Sequence, residues 1–340
     1  MNKNKLQKII VSAPGKIHLS GEHSVIYGKP ALLAAVNKRV SVTAYKVPKI
    51  SGQKTYGCFP DIVIQKTYEF LQKEQSKNIC LEIQSELPLG CGMGSSAAVS
   101  AAIISAIFGI EKITCNLEKI NNIVYETEKI MHNNPSGADN TVITYGGLVC
   151  FEKKEKTPVI QKLVTTNFPE LLLINSGKPI ESTGDMVNIV AKKYKMGKVK
   201  YKKIFGQMGE VTENMCDIFG QNNFEQNNFN NFGELITQNQ RLLEQMGVVG
   251  RHAKYIIKLI EKFGGAAKIS GAGGVKSGSG IIIAFAPDMQ KLKYYLKKNN
   301  ITFFNAKISQ EGCDRVACDG VSCDEISCKG VARDEFGEGI

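Results

Sequence analysis

Three stretches of the chain combine glycine with charged or hydroxylated residues in a way that suits the handling of phosphate. The first is SAPGKIHLSGEHSVIYG (12–28), which holds Lys16, Glu22 and His23; the second is PLGCGMGSSAA (88–98); the third is KISGAGGVKSGSGIIIAF (268–285). A phosphate chain needs many backbone N–H donors at close range, hence glycine, with the positive end of a helix dipole behind them. Pro88, Gly90, Gly92 and Gly94 followed by Ser95 and Ser96 meet that need, because a strand-like run (ICLEIQSELP, 79–88) precedes them and an apolar helix (Ser96 to about Phe108) follows. No Gly-Lys-Ser/Thr ends the loop, which excludes a Walker A motif, and no acidic residue about twenty positions on marks a dinucleotide fingerprint. Between the second and third stretches lies EKIMHNNPSGADN, where Glu128 ends a helical run and Asp139 sits in a Pro/Gly turn. Phosphoryl transfer asks for a carboxylate to hold a metal, a group to orient or deprotonate the nucleophile, and a fixed cation beside the developing charge. Glu128, Asp139 and Lys16 have the types for those three parts. These and the other candidates each have a structural alternative: Lys16 as a solvated turn lysine, Glu128 as a surface helix carboxylate, Asp139 and Thr183 as helix caps, Ser95 and Ser96 as caps, His23 as a packing residue.

These motifs have to be positioned by ordinary elements. The β-branched alternation of 8–13 and 39–46 predicts two strands bracketing the first glycine stretch. Residues 117–131 place Ile120, Ile123, Val124, Thr127 and Met131 on one helical face, and the helix stops at Pro135 and Gly137. GGLVCFEKK and ELLLINSG read as strands. Beyond Gly177, helices are expected at 182–194, 233–246, 252–263 and 288–298, and a strand at 280–285, an α+β arrangement. The run KKYKMGKVKYKK (192–203) reads as a solvated helix end and loop. QNNFEQNNFNNF (221–232) and the tail with Cys313, Cys318, Cys323 and Cys328 at intervals of five read as low complexity, since period five fits neither a helix nor a strand face.

Composition limits the function. With 340 residues and 43% hydrophobic content, the chain can build two packed domains. No signal peptide is read at the start, and no apolar run is long enough to span a bilayer, so a soluble, cytoplasmic protein with reduced thiols is expected despite ten cysteines. The net charge of +11 suits an anionic partner. No nucleic-acid motif accompanies it.

The three glycine stretches resemble, in order, the three signature motifs of the GHMP kinases, over residues 9 to about 305. APGKIHLSGEHSVIYGKPAL and HNNPSGADNTVITYGG are most similar to the branch of that family that acts on mevalonate. The resemblance implies a two-domain fold. A left-handed βαβ N-terminal domain (1–170) would carry nucleotide and substrate sites, a ferredoxin-like C-terminal domain (171–308) would close the cleft, and 309–340 would remain as an unordered tail. It implies ATP and Mg2+ as cofactors, phosphorylation of the C5 hydroxyl of (R)-mevalonate, and a homodimer in many members, with another small-molecule kinase of the family, such as one acting on phosphomevalonate, as the alternative. It further implies Asp139 as base or orienting group and Lys16 beside it. Ser96 and Glu128 would hold the metal, Gly90 to Gly94 with Pro88 and Ser95 the triphosphate, and Glu22, His23, Thr183, Gly271 and Gly273 would lie around the substrate. Two departures stand out. Val275 to Gly278 lengthen the third loop, and Cys91 and Met93 occupy positions where Ala or Leu is more usual.

Overall fold

The computed structural model describes residues 6–47, 55–114, 116–132, 135–155, 157–165, 168–220 and 226–321. In chain order its elements are β1 (Leu6–Ser20), a single 3-10 turn (Ser24–Tyr27), β2 (Pro30–Lys46), α1 (Cys58–Leu71), β3 (Ile79–Ser85), α2 (Ser95–Ile110), α3 (Leu117–His132), α4 (Ala138–Tyr145), β4 (Leu148–Glu152), β5 (Val159–Leu163) and β6 (Leu171–Asn175). They continue with α5 (Thr183–Met196), α6 (Lys198–Gly220), α7 (Gln226–Met246), α8 (Arg251–Lys262), β7 (Ala266–Ser270), β8 (Ile281–Phe285), α9 (Met289–Lys298), β9 (Phe303–Ala306) and β10 (Asp314–Val321).

Among the described residues two sheets form. The first has the order β10-β1-β2-β4-β5, with β3 also on β2. Strand β2 is long enough to serve two partners on one side: Pro30–Ala34 pairs with β4 and Val40–Lys46 with β3. Helix α2 lies across this sheet. Its Ala97, Ala98, Ala101 and Ala102 are all fully buried, and such small side chains let the helix approach β1 and β2 closely, so that an apolar helix is covered on nearly every face. The second sheet, β7-β8-β6-β9, is antiparallel throughout. The chain runs β6, helices, β7, β8, α9, β9, with β6 and β8 central, which is the split βαβ order of a ferredoxin-like layer.

Four expectations need correction. The first glycine stretch is not a turn between two short strands: β1 runs on through Lys16 and His18 to Ser20, paired with β2 across register slips at Pro14/Gly15 and His18/Ser20. A slip lets a strand absorb a glycine and bend without ending. The basic run at 192–203 contains the start of α6, a 23-residue helix, because Tyr201, Ile204, Phe205, Met208, Val211 and Met215 recur at helical spacing and are buried beneath the lysines. The Asn/Phe repeat enters α7, where Phe232 is fully buried and meets Phe219 and Phe285 edge-on. In the tail, Asp314–Val321 pairs antiparallel with β1 and returns the chain to the first sheet. Cys313 is buried, its thiol donating to the Ala101 carbonyl at 3.3 Å. Cys323 and Cys328 lie outside the described residues. No helix among the described residues is long and apolar enough to cross a membrane.

Candidate active site

A cleft of about 720 Å³ opens between the two sheets, and the three glycine stretches meet in its wall. Strand periodicity brings the first of them to the floor. Lys16 and His18, two apart on β1, share a face, and both are buried. The Lys16 ammonium donates to Asp139 Oδ2 at 2.9 Å and to His18 Nδ1 at 3.1 Å. Asp139 arrives from the other side. Gly137, with φ 92°, turns the chain into α4, and Asp139 is the second residue of that helix, about one-third exposed towards the cleft. The N-cap position is held by Gly137, so Asp139 is not the cap residue of the alternative reading. The helix N-terminus and the Lys16 ammonium together hold this carboxylate in place and aim it into the cleft.

His18 was not anticipated as a member of this group. Its Nδ1 accepts from Lys16, which leaves Nε2 facing Asp139 Oδ1 at 3.9 Å. Burial first, and then the neighbouring Lys16 charge, drives its pKa well below the ordinary histidine value, so the ring is neutral. The i, i+2 spacing from Lys16 on a strand was the available signal.

The second stretch curls over this floor. Met93 O accepts from Lys16 N at 2.9 Å, which fixes the loop to β1. Gly94 takes φ 70° before α2, and a Cβ there would stand 2.8 Å from both Lys16 Cγ and Ile143 Cδ1. Ser95 and Ser96 open the helix without capping it and both line the cleft. Gly90 and Gly92 line it as well. The Lys178 side chain lies over Gly90, a cation beside the loop that sequence reasoning did not pick out. Pro88 stands at the foot of the loop, half-buried and outside the cleft wall.

The third stretch closes the far side. Ser270, at the end of β7, accepts from His18 N at 2.8 Å, and Gly271 and Gly273 reach the cleft with Gly92 packed against the Ser270 carbonyl. The two glycine loops therefore touch. The extra residues of this loop have a partner: Val275 N and Lys276 N donate to the buried Glu181 carboxylate at 3.4 and 3.2 Å. Thr183 is the first residue of α5 and faces the cleft; its neighbour Ser182 is the cap, in a capping box with Asp185.

Glu22 and His23 line the cleft beside the third glycine stretch, but their polar groups are partly committed. The Glu22 carboxylate forms a fully buried ion pair with Lys268, whose ammonium also donates to His18 O at 3.0 Å. Glu22 thus lines the wall and is braced there by Lys268. His23 takes a positive φ of 61° with ψ −43°, and its ring bonds the Ala272 carbonyl at 3.0 Å, the ring nitrogen donating. Burial pushes its pKa down to about 4.

Glu128, on α3, is buried at 4% exposure and lines the same cleft as Ser96. A carboxylate and a hydroxyl facing a phosphate-sized space form the hard oxygen donor set that suits magnesium, which binds through one or two carboxylates together with substrate phosphates. No cluster of three or more His, Cys, Asp or Glu suited to a metal occurs among the described residues. A cation of that kind does not need one.

Comparison with known proteins adds an independent line. The family model described as the N-terminal domain of GHMP kinases matches residues 62–147, and the model for their C-terminal domain matches 222–300. A mevalonate kinase of Pyrococcus furiosus is 30% identical over 84% of this chain and 91% of its own length. Among solved structures, the L. major mevalonate kinase in complex with R-mevalonate superposes with a TM-score of 0.75 at 21% identity, covering 90% of this chain and 96% of that one. A Streptococcus pneumoniae phosphomevalonate kinase in complex with phosphomevalonate and AMPPNP superposes almost as well, at 0.71 with 16% identity, covering 88% and 100%.

Proposed function

The chain belongs to the GHMP kinase family, and on that premise we propose that it transfers the γ-phosphoryl group of ATP to the C5 hydroxyl of (R)-mevalonate, giving 5-phosphomevalonate and ADP. The observation that carries the chemistry is the Lys16–Asp139 pair at 2.9 Å on the cleft floor. The substrate rests on the sequence relatives, since the backbone likeness to mevalonate and phosphomevalonate kinases is nearly equal.

In this reading the N–H groups of residues 90–94 and the N-terminus of α2 hold the phosphates, with Lys178 at the loop's outer side. Asp139 accepts the proton of the attacking hydroxyl, or orients that hydroxyl as the γ-phosphoryl departs. Lys16 balances the charge that grows between nucleophile and phosphate, and does so at no cost in reorganisation because Asp139 and His18 already hold its ammonium. Ser96 and Glu128 would hold Mg2+, which when bound neutralises charge on the β- and γ-phosphates. Thr183, His23, Gly271 and Gly273 bound the acceptor end. The enzyme is assigned to the cytoplasm, where its thiols rest in the reduced form.

The test is ADP release by the purified chain with (R)-mevalonate, phosphomevalonate, homoserine or galactose, each with and without magnesium. Magnesium-dependent turnover with mevalonate alone is the expected result. Turnover with a different acceptor moves the specificity within the family, and silence with all four removes the catalytic reading.

A further inference from the structure

Away from the cleft, two cysteines from distant parts of the chain face one another. Cys150 belongs to β4 of the first sheet and Cys216 to α6, with 66 positions between them, and their sulfurs are 2.7 Å apart. The strand explains the aim of one partner. Val149 and Phe151 are buried on one face of β4, so Cys150, between them, points to the other face and towards α6. The helix explains the second. Cys216 is one turn beyond Thr212, whose hydroxyl is 2.7 Å from Ser20 Oγ at the end of β1. That contact, with the Asn239 amide donating to the same Ser20 hydroxyl at 2.6 Å, fixes the register of α6 on the sheet. Both thiols are free and half-buried, within reach of a small oxidant.

We propose that Cys150 and Cys216 form a redox-convertible pair, closed by a peroxide into a disulfide that joins the first sheet to α6. The Cys216 S–H donates to the Cys150 sulfur, which brings the Cys150 thiol below its usual range, while that same bond and burial push Cys216 up. Glu152, Glu213 and Asp217 are the charged groups around the pair, and they oppose thiolate formation, so the shared S–H is what favours attack by Cys150. In the first step the Cys150 thiolate attacks one peroxide oxygen, the O–O bond breaks, and the departing hydroxide takes a proton to become water. The sulfenic acid left on Cys150 is then attacked by the Cys216 sulfur. The S–O bond breaks, the Cys216 proton leaves with the hydroxide as a second water, and the S–S bond forms. Both thiols are oxidised by two electrons in total, and one peroxide is reduced to two waters.

The experiment treats the purified full-length chain with hydrogen peroxide, blocks remaining thiols by alkylation, and maps non-reduced proteolytic peptides by mass spectrometry. The expected product is one peptide pair joined through Cys150 and Cys216, lighter by two hydrogens and released by dithiothreitol. Closing a loop of this length should also raise Tm by a few degrees in the oxidised protein. In Cys216→Ser the peptide pair and the Tm rise should both vanish, with Cys150 recovered as a sulfenic or sulfinic acid. Alkylation of both thiols after peroxide, or a bond from either of them to a different cysteine such as the exposed Cys58, would overturn the proposal. The peptide map of the unsubstituted chain decides it even where a variant folds poorly. None of these readouts depends on the substrate.

Discussion

Asp139 and Lys16 stand 123 positions apart, yet the chemistry proposed for the cleft is concentrated in their contact. Asp139→Asn keeps the shape and removes the proton acceptor. Turnover should fall by roughly 10³-fold or more, while nucleotide affinity measured by calorimetry stays within a few-fold. Near-normal turnover would reject the assignment. His23 permits a test by pH. Its pKa is pushed down from 6.5 to about 4, so the folded state binds fewer protons than the unfolded one. Its contribution to stability is therefore complete above about pH 6.5 and is lost as pH falls through the folded value near 4. Full loss amounts to roughly 3 kcal/mol. Asparagine, like histidine, is enriched among residues with positive φ. Urea midpoints at several pH values should then fall less steeply for His23→Asn than for the parent chain, and parallel curves would show that His23 is not the titrating group.

At the level of elements, a glycine loop works here because its neighbours approach too closely for any side chain. Gly94 combines φ 70° with a Cβ position 2.8 Å from Lys16 Cγ. Gly94→Ala should cost about 1–2 kcal/mol in backbone strain. It should also displace Lys16, and misplacement by about 1 Å lowers turnover on the order of 10²-fold. The discriminating measurement is kcat set beside Tm, since a loss in Tm alone would mean that Lys16 had not moved. The sequence pattern did place this loop between a strand and α2. It could not show that the loop is anchored by Lys16 N on Met93 O, nor that it packs against a second glycine loop about 180 residues later.

For the molecule as a whole, the two sheets are joined at the cleft wall by the Lys268–Glu22 pair, fully buried and 246 positions apart. Burial lowers the Lys268 pKa and Glu22 raises it, so the ammonium depends on its partner. Removing one member strands a buried charge. Lys268→Met should destabilise by about 3–5 kcal/mol, whereas Lys268→Met combined with Glu22→Leu should recover much of that loss. Urea denaturation of the two single variants and the double variant measures the coupling energy, and additive losses would remove the pair as the link between the halves.

How much was legible differs with scale for physical reasons. Types and spacing alone singled out the three glycine stretches and the trio Lys16, Glu128 and Asp139, which the fold brings to one cleft, because phosphate binding and phosphoryl transfer admit few residue types and impose local backbone geometry that glycine betrays. Helices α3, α5, α8, α9 and the 233–246 part of α7 were also readable from a short-range apolar period, and α2 from its continuous apolar run. Whatever depends on pairing between distant segments was not. His18 joins Lys16 only because β1 continues past a register slip. Glu22 lines the cleft and also pairs with Lys268, because β7 passes beside it. Asp314–Val321 is a strand because β1 offers an edge, not because of any pattern in its own cysteines. The Asn/Phe repeat enters a helix because Phe232 finds Phe219 and Phe285. The chain by itself determined which chemistry is available and which local turns carry it. Tertiary structure decided which groups face the cleft and which brace it, because burial and charge pairing are set by neighbours that sequence distance does not reveal.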